Sequence, residues 1–284
     1  MAVIPDTATI FGTEAAINQE GFRSYLTAHN MSQNTICVYC YAVQQFFDFY
    51  SELNLATLQL YKVYLLEHYK PQTVNLRIRA LNCYMEYSNY RESKISMIKI
   101  QQKMYLDRII SQADYEYLKR RLLEDNEYTY YFIIRYMAAT GVRISELVMF
   151  NLEDVETGYK DLYSKGNKMR RIYIPSSLQQ RTEAWLRTEH RTVGALFLNR
   201  FGNPITASGI RGQLKVFAIR YNLDPNVVYP HSFRHRFAKN FIEKCGDIAL
   251  LSDLLGHESI ETTRIYLRRS SSEQYRIVNK VVDW

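Results

Sequence analysis

Four short stretches of the chain hold residue types that could act together on a phosphate. The first is Thr140-Gly141-Val142-Arg143-Ile144-Ser145-Glu146-Leu147, an arginine among apolar neighbours with a glutamate three residues on. A guanidinium held from behind by a carboxylate presents a planar fork that matches two phosphate oxygens. The second is Ser164-Lys165-Gly166-Asn167-Lys168, a turn sequence in which Lys165 can reach a nucleic-acid groove or a leaving oxygen. The third is His231-Ser232-Phe233-Arg234-His235, with Pro230 just before it as at a helix start. On a helix His231 and Arg234 share a face, which sets a proton carrier beside a fixed cation. The fourth is Leu255-Gly256-His257, followed by Tyr266 in Thr262-Thr263-Arg264-Ile265-Tyr266-Leu267 with Arg268 and Arg269 behind it. A tyrosine hydroxyl among cations is a candidate nucleophile. Taken singly, each stretch has a plainer reading. These are a structural Arg–Glu pair, a solvated turn lysine, a surface His/Arg cluster, and one of 24 tyrosines, most of them at helix-core spacing.

The elements that must position these residues follow from periodicity. Ile36, Tyr39/Cys40, Val43, Phe46/Phe47 and Tyr50 repeat at amphipathic-helix spacing, with Ser32 as N-cap. Similar patterns cover residues 13–28, 57–68 and 72–89, with Pro71 at a tolerated first-turn position. Residues 13–89 therefore read as four helices. Residues 91–107 lack a period and read as a linker, which places a domain boundary near residue 106. Helices return at 118–123 and 131–139, the latter ending at Gly141 as a C-terminal glycine. The period then switches to two: residues 159–164 and 169–174 flank the 165–168 turn as a hairpin, and 196–198 could add a third short strand. After Pro204 the chain is helical again to about residue 267. The expected fold is mainly α with a small antiparallel β-sheet, in two domains, 1–106 and 107–284.

Composition narrows the partners. The formal charge of +7 over 284 residues favours a polyanion. Residues 1–107 carry nine basic and nine acidic side chains, and residues 108–284 carry 27 against 20. Within the first part, residues 62–103 hold eight basic against three acidic, so positive charge gathers in two places. Solvated, scattered charge is the plainer alternative. No apolar run is long enough for a membrane span, and the first ten residues have no Lys or Arg, unlike a signal peptide; a cytoplasmic protein is expected. Cys37 and Cys40 form a C-x-x-C without a second ligand pair and read as small buried hydrophobes in a reducing compartment. No metal-ligand cluster is evident.

The order of the four stretches is more specific than any one of them. T-G-V-R-I-S-E-L, S-K-G-N-K, H-S-F-R-H, L-L-G-H and T-T-R-I-Y, in this sequence, resemble the tyrosine recombinase (phage integrase) family over about residues 108–270. Residues 13–89 match more loosely the helical core-binding domain that such enzymes carry. The resemblance implies a clamp of the two domains around double-stranded DNA. It also implies site-specific cleavage and rejoining by transesterification through a 3′-phosphotyrosine, with no metal and no cofactor. Arg143 and Arg234 would hold the non-bridging oxygens, His257 would add a hydrogen bond, and His231 would be the general base. Lys165 would protonate the leaving 5′-oxygen, and Tyr266 would be the nucleophile. The apolar tail, residues 275–284, would pack on a neighbouring subunit of a tetramer holding two DNA sites; packing in cis is the alternative. The short lead before the first helix points to a compact, Xer-like enzyme, of a mobile element, an inverter or a resolvase. A type IB topoisomerase-like strand-relaxing enzyme and a non-catalytic DNA-binding regulator are the rival readings.

Overall fold

Side-chain caps start the first helices. In a computed structural model of the chain, which describes residues 18–89, 94–100, 109–163, 169–257, 259–267, 275 and 278–282, the Asn18 side chain accepts from the Gly21 amide and opens α1 (Gln19–Ala28). Ser32 does the same for Thr35 at α2 (Gln33–Phe49). Asn54 and Thr57 cap each other reciprocally at α3 (Leu55–His68). Pro71 takes the first turn of α4 (Pro71–Tyr87), where an absent N–H leaves no bond unmade. The first helix starts later than the 13–28 expected, because an Asn oxygen at position 18 satisfies an otherwise orphaned amide; residues 13–17 lie outside the described residues.

The chain divides into two compact units, Met1–Gln102 and Lys103–Trp284. In the first, Ile36, Val43 and Phe46 of α2 meet Val74, Ile78, Leu81 and Met85 of α4, all within one core with Tyr61 of α3. Full burial of each such side chain stabilises by roughly 1.5–3 kcal/mol. Of the basic residues in this unit, Arg77 is not available to a ligand: it is buried between the rings of Tyr41 and Tyr69, at 5.1 and 4.7 Å from their centroids. Part of the expected linker is held down. Asn75 and Asn82 of α4 each pair with a backbone N–H and C=O of the 94–100 segment, Asn75 with Ile98 and Asn82 with Ile95, all at 2.9 Å.

In the second unit α5 (Gln112–Glu124) leads to α6 (Tyr128–Thr140), whose Phe132, Ile133, Ile134, Tyr136 and Met137 are all buried. Two short helices, α7 (Ile144–Leu147) and α8 (Leu152–Thr157), precede the hairpin of β1 (Tyr159–Tyr163) and β2 (Met169–Tyr173). Its antiparallel register pairs Tyr159 with Tyr173 and Tyr163 with Met169. Then come α9 (Ser176–Thr188), α10 (Ala207–Arg220), α11 (Pro230–Cys245) and α12 (Ile248–Leu255), and two 3₁₀ turns, Ile260–Thr262 and Arg264–Leu267. Helix α11 packs on α6 through Phe233, and on α12 through Ala238 and Ile242, so its length runs between two apolar clusters.

Two expectations are corrected. Residues 196–198 form no third strand among the described residues: Ala195 and Leu198 make isolated bridges to Asn151 and Pro204, too far apart to extend a ladder, and the sheet has two strands. Cys37 is exposed rather than buried, since only Cys40 of the pair falls on the inward face of α2; Cys245 is exposed as well. The four thiols are free. No helix among the described residues is long and apolar enough to cross a membrane.

Replacing Asn75 with Ala leaves the N–H and C=O of Ile98 without their partner. We expect a loss of about 1–3 kcal/mol of stability in denaturant unfolding, with faster proteolysis within 94–100. A change below about 0.5 kcal/mol would mean that solvent replaces the asparagine at no cost.

Candidate active site

The site is assembled where two helices end. Helix α6 terminates on Gly141 and α12 on Gly256, both left-handed, at φ 64° and 61°. A side chain at position 141 would meet the ring of Phe237, and one at 256 would meet Arg170, so both turns need glycine on two grounds. The last carbonyls of a helix have no intrahelical partner and carry partial negative charge. Here they accept from guanidinium groups. Arg234, on the first turns of α11, donates to the Gly141 carbonyl at 2.6 Å and to the Leu255 carbonyl at 2.7 Å. Arg143, the residue before α7, donates to the Gly256 carbonyl at 2.9 Å and to Glu146 at 3.0 Å. The Glu146 carboxylate also accepts from the Arg143 amide and from Arg170, at 2.8 and 2.9 Å. Arg170 donates in addition to the Leu255 carbonyl.

Three guanidinium groups thus share one carboxylate and three backbone carbonyls. Their charge is positioned but not neutralised, which is what an anion site requires. Arg234 is 3% exposed, and burial first, then Arg143 and Arg170, pull its pKa down to about 10, still protonated at neutral pH. Arg143 is the most accessible of the three, with about a third of its side chain exposed (35%).

The histidines and the tyrosine lie against this cluster. Nε2 of His257 is 3.1 Å from Nη2 of Arg234 and its Nδ1 is 2.8 Å from the Thr263 hydroxyl. A guanidinium can only donate, so Nε2 accepts and the imidazole proton sits on Nδ1. Burial and the Arg234, Arg143 and Arg170 charges hold this ring at about 4, neutral. His231 and His235 stand one turn apart on α11, with ring centroids 6.2 Å apart. His231 is exposed, and its pKa is lowered by burial of part of the ring and by Arg234, Arg143 and Arg211. Tyr266 lies in the second 3₁₀ turn with its ring in the apolar cluster of Ala238, Ile242, Leu251 and Leu255. Its hydroxyl is 2.7 Å from Nδ1 of His235. Burial raises the phenol to about 12 against the opposing pull of Arg234.

The structure therefore brings Arg143, Arg234, His257, His231 and Tyr266 to one place. Lys165 lies outside the described residues. Sequence reasoning missed Arg170 and His235. Arg170 carried a legible signal: it shares strand parity with Ile172, which is 2% exposed, whereas Arg171 faces the other way and pairs with Asp161 at 2.7 Å. His235 lies four residues after His231, on the same helix face. Glu146 holds Arg143 as its spacing predicted. Among the described residues no group of three His, Cys, Asp or Glu side chains is placed to hold a metal ion. Beside the site a cavity of about 930 Å³ opens between the hairpin and α12, lined by Arg143, Met149, Leu162, Met169, Leu250 and Leu254 among others.

Residues 106–273 match the Phage integrase family, and the chain belongs to that family. Among known proteins it is similar to "Tyrosine recombinase XerD" of Staphylococcus haemolyticus (strain JCSC1435), 29% identical over 167 residues, a match spanning 56% of each chain. The chain thus spans little more than half the length of that relative. It is also similar to "Tyrosine recombinase XerA" of Pyrococcus furiosus, 27% identical over 256 residues and 88% of each chain. In fold it resembles the Tn1549 transposon integrase in complex with transposon right end DNA, with a TM-score of 0.71 and 18% identity over 93% of this chain and 98% of that one.

The buried imidazoles make stability depend on pH. His235 and His257 are held at about 4, against about 6.5 for a free imidazole. Between those values the unfolded chain binds protons that the folded chain does not, so stability falls as pH drops from about 6.5 to about 4. The melting temperature of the wild type should fall more steeply across that window than that of a His235→Asn/His257→Asn double variant. Parallel curves would assign the acid sensitivity to other groups.

Proposed function

We propose that the chain is a site-specific DNA recombinase that cuts and rejoins duplex DNA through a 3′-phosphotyrosine intermediate. One observation carries this reading: Arg143, Arg234, His257 and Tyr266, from separate segments, converge on the carbonyl ends of α6 and α12. The name tyrosine recombinase borne by relatives and the DNA in the Tn1549 integrase complex support double-stranded DNA as the partner.

In this reading Arg143 and Arg234 clamp the non-bridging oxygens of the scissile phosphate, fixed charge standing where charge develops in the transition state. The Tyr266 oxygen attacks phosphorus, and the 5′-oxygen leaves with a proton from Lys165. The phosphotyrosine conserves the bond energy, and a 5′-hydroxyl from another strand reverses the step. His257, which accepts from Arg234 and is anchored by Thr263, keeps that arginine in place. Residues 1–106 act as the core DNA-binding domain and residues 107–284 as the catalytic domain, the two forming a clamp around the duplex. Phosphate contacts make its affinity salt-sensitive.

The tail supports assembly. Tyr275, Val278, Val281 and Val282 are exposed, at 69, 54, 59 and 43%, an apolar set that gains by leaving water. We place it on a neighbouring subunit in a tetramer that holds two DNA sites, and assign the protein to the cytoplasm and to a mobile element or similar excisable segment.

A radiolabelled nicked duplex on which the wild type forms a denaturation-resistant adduct, selected from random-sequence DNA, tests the chemistry. Tyr266→Phe should abolish the adduct, chelator should leave it intact, and Arg143→Ala should slow its formation by about 10²–10³-fold. An adduct from Tyr266→Phe would move the nucleophile elsewhere. Relaxation of supercoiled DNA without a second site would favour a topoisomerase. Deleting residues 275–284 should leave DNA binding intact and reduce assembly of two duplexes in gel filtration; unchanged assembly would put the tail in cis.

A further inference from the structure

We infer that Arg170 is a positioning residue for the reaction: from strand β2 it fixes the Glu146 carboxylate, and through it holds Arg143 in the orientation that grips the scissile phosphate. The inference rests on the recombinase reading above and gives a role to a residue that the ordered motifs do not contain.

The connection is a chain of hydrogen bonds. Arg170 donates to the Leu255 carbonyl at the end of α12 and, through Nη2, to Oε2 of Glu146 at 2.9 Å. The other oxygen of that carboxylate, Oε1, accepts from Nη1 of Arg143 at 3.0 Å, and Oε2 also takes the Arg143 amide at 2.8 Å. Arg143 needs such support more than Arg234 does. Arg234 is 3% exposed, has two carbonyls of its own and sits on a helix of 16 residues. Arg143 has 35% of its side chain exposed and stands before a helix of 4 residues. Among the described residues its guanidinium has Glu146 and the Gly256 carbonyl as its partners. One turn of helix does not hold itself in place, so Glu146 sits where its partners put it.

Stability gives no reason for Arg170 to be there. Its side chain is 12% exposed, and its Nε–H is buried with no partner among the described residues. Burial lowers its pKa, Glu146 opposes that, and Arg143 adds to the lowering; a guanidinium keeps its proton all the same. A buried cation beside two others, with an N–H unmade, is a poor way to hold a fold, since apolar side chains of similar volume often hold it as well or better. The fold nonetheless makes room for it. Strand alternation turns position 170 inward with Ile172, and Gly256 leaves free the space that a side chain there would take from Arg170. What Arg170 has and an apolar residue lacks is a fork that spans a carbonyl on α12 and a carboxylate on α7 at once. That span sets Glu146, and so Arg143, relative to the α12 end from which His257 follows. The two terminal nitrogens of Arg170 face Leu255 and Glu146 and its Nε is buried, which leaves the phosphate to Arg143 and Arg234.

The test is a mutant cycle on the full chain, read as the single-turnover rate of adduct formation on the duplex selected above. Arg170→Met keeps much of the volume and loses the fork; it should slow the rate by roughly 10–100-fold. Because Arg170 acts through Arg143, the double variant Arg143→Ala/Arg170→Met should match Arg143→Ala to within about twofold. A second duplex carries a methylphosphonate at the scissile position, where a methyl group replaces one charged non-bridging oxygen. Less charge then needs a cation, so the Arg170→Met defect should shrink severalfold; damage to the fold would slow both duplexes alike. The melting temperature of Arg170→Met should stay within about 2–4 °C of wild type. Defects that multiply in the double variant would show Arg170 acting on the phosphate by itself or on the fold, and would overturn the proposal. So would a wild-type rate for Arg170→Met, or an equal defect on both duplexes. If the wild type forms no tyrosine adduct on any duplex, the recombinase reading fails, and this inference with it.

Discussion

The structure of the second unit turns on how cations are held without being neutralised. Three guanidinium groups converge within one site, and like charges at such range repel strongly in a poorly solvated interior. Among the described residues one carboxylate, Glu146, is a partner; the Gly141, Leu255 and Gly256 carbonyls and Nε2 of His257 are the other acceptors. Carbonyls at helix C-termini carry fractional negative charge, enough to orient an arginine but not to cancel it. Carboxylates in every one of those places would have filled the site with its own counter-ions. Burial first, and then the remaining positive charge, depress His231, His235 and His257, and that charge suits the recognition of a polyanion proposed here.

Rigidity around this cluster comes from ordinary packing. Helix α11 is fixed at its start by Phe233, fully buried against the larger core, and further along by Ala238 and Ile242 against α12. Arg234, between these anchors, has little freedom to move. Tyr266 is set by the same α11–α12 cluster, so the proposed nucleophile and clamp share one support. The Ser232 hydroxyl, also buried, takes the Ile110 amide at 2.7 Å and ties the entrance of the unit to the same helix.

Much of this was legible in the sequence, for identifiable reasons. Helices such as α2 and α4 declare themselves because a 3.6-residue repeat must bury one face. Pro71, Pro230 and Gly141 mark ends because their backbone restrictions are local. The Arg143–Glu146 pair follows from spacing alone. What escaped depends on distant contacts. Nothing near residues 94–100 signals that Asn75 and Asn82 would pin that segment, since the partners are backbone groups. Residues 196–198 have strand composition but meet no edge. His235 looked like a neighbour of the motif until the fold brought Tyr266, thirty-one residues later, onto its ring nitrogen. Cys37 was misjudged because one position around a helix separates inside from outside.

The carbonyl acceptors also bear on how such a site can diverge. Every residue supplies the same main-chain oxygen, so the side chain of Leu255 answers only to packing, and the residue type there can drift while its hydrogen bonds to Arg170 and Arg234 persist. Gly141 and Gly256 are under a different constraint, imposed by backbone handedness and close approach, although neither has a side chain to contribute. Two letters that carry no side chain are thereby as immovable as the arginines they serve. A sequence signature for the site is in part a record of torsion angles.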